Sequence, residues 1–151
     1  MITLLARPVD EVDSVQRYPL METCEIAGNQ YVYMKGATNI AAGSFVTYDE
    51  VGVPTLLAAD AVGPVAIAMG AVSAATKFGW FLVSGLHSAG LTANDVADNG
   101  NLYATATGGK VDDAVVAGDR IHGAWARSAG TGASNIKVQI SFPYVTNLAD
   151  A

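Results

Sequence analysis

Hydrophobic and polar positions alternate most cleanly near the C-terminus. Ile136, Val138, Ile140 and Phe142 fall on one side of an extended chain, and Lys137, Gln139 and Ser141 on the other. Period two is that of a half-buried strand, and Pro143 is expected to end it. Upstream, the apolar runs are short and punctuated. Gln30–Lys35 is β-branched and aromatic and follows Gly28-Asn29, a strand signal. Phe45–Tyr48, a turn at Asp49-Glu50-Val51-Gly52 and a return over Val53–Ala58 read as a hairpin. Val65–Val72 reads as a buried strand and Phe78–Ser84 as another, ending at Gly85. Leu91–Asp98 reads as a short helical turn, capped by Thr92 or Asn94 through a side-chain oxygen. Leu102–Thr107 and Lys110-Val111 flank a Gly108-Gly109 turn, a second hairpin. Val115-Val116 and Arg120–Arg127 follow, and 128–134 is a small-residue loop. Many short strands with closely spaced turns predict an all-β fold, a small barrel or sandwich of short antiparallel strands with few or no helices.

Two stretches of this pattern resemble each other. Residues 42–85 and 99–140 each open on a Gly-containing turn before a strand. Gly43 matches Gly100 at an offset of 57, and Ile67 matches Ile121 and Leu82 matches Ile136 at 54. Two loosely repeated β-lobes, 36–85 and 99–142, are therefore expected within a β-domain over 36–145, with a tail at 146–151. Residues 1–30 differ. They hold Arg7, Asp10, Glu11, Asp13, Arg17, Glu22 and Glu25, with Pro8 and Pro19, in no clear period. They read as an extended N-terminal arm leading into the first strand, with a short strand or helical turn in 9–17; an ordinary first strand plus loop fits equally.

Composition narrows the reading. The length suits one domain. Hydrophobic residues make up 51% of the chain but aromatics only 8%, because 26 alanines and 17 valines dominate. Alanine buries little area, so a lone chain would have a thin core that oligomerisation can supplement. Charged residues are 15%, and Lys77 is the only one between Asp60 and Asp95. That stretch is read as covered by other protein rather than as a merely neutral surface. A net charge of −6 with scattered cations argues against direct nucleic-acid binding, which needs a basic patch. Cys24 is alone, so no internal disulfide forms. The opening run Met1–Pro8 is too short for a signal peptide. Residues 61–76, uncharged but rich in Gly and Ala, fall short of a membrane span.

No arrangement of reactive residues emerges. His87 between Ser84 and Ser88 lacks a nucleophile elbow. Asp112-Asp113 and the Asp95/Asp98 pair read as solvated turn residues, and a calcium loop built on Asp95, Asp98 and Asn99 lacks its repeat and closing Glu. His87, His122 and Cys24 have no metal-ligand spacing. The loop at 128–134 lacks a P-loop ending and precedes a strand. No catalytic residue, metal or cofactor is expected. Trp80 and Trp125 read as core or subunit-contact anchors. Tyr31 and Tyr33 share one face of a strand.

The stretch Ala42-Gly43, Gly52-Val53, Ala59-Asp60, Gly63-Pro64-Val65-Ala66 and Gly79–Gly85 resembles the head decoration, or capsid cement, proteins of tailed bacteriophages. Gly118-Asp119-Arg120-Ile121 repeats one of these openings, and Pro64 stands where the pattern has Val. The resemblance spans roughly 36–142. It implies a non-enzymatic structural virion protein on the outer capsid surface, made in the host bacterial cytoplasm. Its partners would be the major capsid protein and itself, as a homotrimer, with no membrane. Residues 1–35 are then the arm that reaches the shell or a neighbour. Arg7, Arg17, Tyr18, Tyr31 and Tyr33 are its expected anchors, and Trp80 and Trp125 further contacts. The first, charge-poor lobe is the expected trimer contact and the second the exposed face. A tail, fibre or head-fibre component is the alternative, and a small hydrolase using His87 comes third.

Overall fold

The computed structural model describes residues 7–148. The opening run Met1–Ala6 and the last three residues of the tail lie outside them. The described chain is all-β, with no helix. Its strands are β1 (Thr23–Ile26), β2 (Asn29–Lys35), β3 (Phe45–Tyr48), β4 (Pro54–Leu56), β5 (Gly63–Ala68), β6 (Phe78–Leu91), β7 (Asn101–Ala104), β8 (Val111–Asp112), β9 (Arg120–Ala126) and β10 (Asn135–Val145). All pair antiparallel in one sheet running β1-β2-β6-β5-β10-β9-β7-β8, with β3 and β4 branching from β5. The sheet does not close into a barrel.

β6 organises this sheet. One edge pairs with β2, from Lys35↔Phe78 to Gln30↔Ser84. The other edge is shared. β5 takes Phe81 and Leu82, and β10 takes Ser84 to Leu91. Gly85, expected as a stop, is a bend through which the strand continues. Its φ is +127°, and a Cβ there would lie 2.0 Å from Asn29 Oδ1. Glycine alone tolerates that conformation and leaves room for Asn29, which accepts a hydrogen bond from the Leu86 N–H.

β10 also outruns its expected end. Its register against β9 shifts between Ile140 and Tyr144, and Phe142 takes φ +43° within that bulge. Pro143, which has no N–H to offer the ladder, is accommodated there and buried. The bulge turns Phe142 out of the apolar face to which strict alternation assigns it, leaving it 59% exposed.

The helical turn expected over Leu91–Asp98 is absent. The N–H groups of Thr92, Ala93 and Val96 donate to the carbonyls of Ser134, Val111 and Gly130 instead of closing helical turns. Val96 is thereby pulled into the core.

The pairing order repeats. β3 lies between β4 and β5, and β5 pairs with β6; β7 lies between β8 and β9, and β9 pairs with β10. Val46 faces Leu56 and Ala66, while Tyr103, 57 residues on, faces Asp112 and Arg120. The offset pairing Leu82 with Ile136 does not carry over. Leu82 faces Ile67, but Ile136 faces Gly90, and the neighbour of Ile121, His122, meets Tyr144 at the far end of β10.

Burial differs between the lobes. Alternate residues of β2, β3, β5 and β6 feed two separate apolar clusters. Tyr31, Tyr33, Phe45, Val65, Ile67, Trp80 and Leu82 join one; Val32, Met34, Val46, Ala66, Ala68, Phe81 and Val83 join the other. Both faces of these strands are covered by the chain itself. β10 buries Ile136, Val138 and Ile140 and exposes Lys137, Gln139 and Ser141. The charge-poor stretch after Asp60 thus contains β5 and β6, central strands whose buried faces have no room for charge. Over β5 and the Phe78–Val83 part of β6, cover by another protein is not needed to explain it.

Candidate functional site

Of the residues expected to anchor an arm, Arg7, Arg17, Tyr18 and Tyr33 do come together, but on their own domain. Asp13 pairs with Phe78 by two backbone hydrogen bonds of 2.8 and 2.9 Å. Its buried carboxylate accepts from Arg7 Nη1 at 2.7 Å, Arg17 Nε at 3.1 Å and the Tyr33 hydroxyl at 2.8 Å. Arg7 also forks onto Glu11. The Tyr33 oxygen accepts in turn from the Arg17 backbone N–H, and burial pushes its hydroxyl pKa up to about 12. Tyr18 packs edge-on against Tyr33, ring centroids 5.2 Å apart, and against Trp80 at 5.3 Å. Two arginines around one buried carboxylate, both of whose oxygens are partnered, form a fastening rather than a free surface.

Three of the expected contacts are buried within the chain itself. Tyr33 is 0% exposed, Trp80 3% and Tyr31 5%. No partner can touch them substantially while β2 and β6 stay packed. Residues 7–21 are not a free arm, since Val9, Tyr18 and Leu20 pack on one apolar cluster and Val12 and Met21 on the other. Of the expected contacts, Trp125 alone is a largely exposed aromatic, at 40%.

The candidate reactive groups hold loops. His87 is buried on β6. The Ala89 N–H can only donate, so Nδ1 accepts it at 3.0 Å; Nε2 therefore carries the proton and donates to the Ala68 carbonyl at 3.2 Å. Burial lowers its pKa, and neither nitrogen is left to take a substrate proton. Asp112 accepts from Asn94 and the Ala114 N–H, Asp113 from the Ala97 N–H and Asp95 from the Gly132 N–H. Asn99 accepts from Arg127. These are loop staples, and no cluster of three or more His, Cys, Asp or Glu side chains suited to a metal occurs among the described residues. Cys24 is buried, which raises its thiol pKa and keeps the nucleophilic thiolate scarce. No helix among the described residues is long and apolar enough to cross a membrane.

Two surface features remain. An open groove of about 620 Å³ runs between residues 7–10 and the walls formed by Ile26, Tyr31, Met69 and the His87–Ala89 segment. Its cation, Arg7, is already committed to Glu11 and Asp13. The second feature is the outward side of β9 and β10, where Tyr144 stacks on His122 at 5.0 Å and Trp125 stands opposite Gln139. The sequence pattern assigned no role to Tyr144 and set Phe142 on the buried face; the signal available was an aromatic on each side of Pro143.

No family model matches the chain, and neither a curated protein nor a solved structure does.

Proposed function

We propose that this is a non-enzymatic structural protein that binds the outer surface of an assembled phage capsid and stabilises it by bridging major capsid subunits. The observation that carries the reading is how the side chains are used. His87 and the loop carboxylates are spent on holding strands and loops and Cys24 is buried, whereas large apolar side chains stand exposed on a sheet face. That distribution suits a protein that works through contact area rather than chemistry. The strand-and-turn resemblance to decoration proteins supplies the kind of partner. Many modest contacts then act together once several copies sit on one shell.

The homotrimer belongs to the same proposal. The test is co-sedimentation with expanded, DNA-free heads of the parent phage, alongside native mass measurement. Saturable binding to expanded heads is expected, and binding to tails alone would transfer the protein to the tail or fibre class.

A further inference from the structure

The exposed side of β9, β10 and the end of β6 combines large apolar side chains with two cations. β9, β10 and Ser84–Leu91 of β6 contain no Asp or Glu, although the chain carries a net −6. Register puts Leu86, Gln139 and Trp125 in one row across three strands, and all three are exposed. One step along, the Arg127 N–H donates to the Lys137 carbonyl at 2.7 Å, which sets these two exposed cations side by side. Arg127 reaches Asn99 Oδ1, and Lys137 has no ion pair among the described residues. At the other end Tyr144 is 48% exposed. The bulge that holds Phe142 at positive φ lies between, a conformation that a non-glycine residue keeps only when its surroundings impose it.

An exposed Trp two residues from an Arg, an exposed Tyr farther along, and no Asp or Glu in the strand segments that form the face make the composition of an interface core rather than of an ordinary acidic surface. We infer that this face is the docking surface for a carboxylate-rich protein surface, with Trp125, Leu86 and Tyr144 supplying apolar contact and Lys137 and Arg127 meeting the acids. A nucleic-acid partner fits less well, because two neighbouring cations release few counterions. This inference rests on the decoration reading and names the side of the chain that would meet the shell.

The test is co-sedimentation with expanded empty heads, at low and high salt, for three forms of the full chain. They are the wild type, Trp125→Ala with Tyr144→Ala, and Lys137→Glu with Arg127→Glu. The altered side chains are exposed, so circular dichroism and thermal midpoint should match wild type. Each double variant is expected to weaken binding by about tenfold or more, and the charge variant to lose most of the salt dependence as well. Val115→Ser, exposed but off this face, should bind normally. Wild-type binding with both double variants unaffected overturns the assignment of the face and leaves the decoration reading standing. No wild-type binding to heads overturns both. A double variant that falls to a smaller oligomer while binding heads normally makes the face a self-contact. Competition by single-stranded DNA at equal charge makes the partner a nucleic acid. Either result overturns the inference.

Discussion

In the first lobe Val65 and Ala66 are both buried, as are Phe81 and Leu82, so successive residues of one strand leave water on opposite sides. In the second lobe Ile140 and Ala124 are buried while Gln139 and Trp125 beside them are exposed. The pairing order is nevertheless the same. One strand plan has thus been used twice, and β9 and β10 of the second copy keep a free side that β5 and the start of β6 in the first do not. The difference explains the composition. Doubly buried strands read as continuous small apolar runs, and singly buried ones alternate. The exposed aromatics Trp125, Phe142 and Tyr144 lie on β9 and β10, whereas the large apolar side chains exposed in the first lobe are valines, Val51, Val53 and Val62.

The largest effect that would sharpen this contrast is at Phe81, which is fully buried. Phe81→Ala should cost about 3–5 kcal/mol in urea unfolding, as large-to-small changes in packed cores do. Next, Gly85→Ala should cost about 1–3 kcal/mol, since the bend that lets β6 serve both lobes needs φ +127°. Asp13→Asn removes a charge that two arginines and Tyr33 share, and about 1–3 kcal/mol should be lost. Limited proteolysis within residues 7–21 should quicken in the same variant.

A pH dependence follows from His87. Its folded pKa lies below the ordinary value near 6.5, so its contribution is complete above that pH and declines as pH falls through the folded pKa. The thermal midpoint should drop on acidification, and His87→Gln should flatten that part of the profile. The smallest effect is expected at Trp125, where Trp125→Ala should shift stability by no more than about 0.5 kcal/mol. A loss near that of Phe81→Ala would mean that the second lobe is not open on this side.

Much of this was legible in the sequence. Half-burial of β10 follows from its alternation, and the two hairpins from their turn residues. What the sequence hid were long-range effects. Gly85 looks like a terminator because its partner, Asn29, is 56 positions earlier. Leu91–Asp98 has a plausible cap, but its N–H groups are claimed by carbonyls far along the chain. Arg7, Arg17 and Tyr18 carry the signature of interface anchors, and only the fold reveals that Asp13 and Tyr33 of the same chain receive them. Phe142 obeys the alternation up to the bulge, which no local pattern announces.

The central claim is that the Phe78–Val83 part of β6 is covered by its own chain while β9 of the second lobe is open. Acrylamide quenching of tryptophan fluorescence tests it, using Trp125→Phe and Trp80→Phe to isolate each indole in a chain dilute enough to be monomeric. Trp80 should stay protected and Trp125 should be quenched readily. Equal quenching of the two would show that partner copies, not the chain's own layers, cover the first lobe.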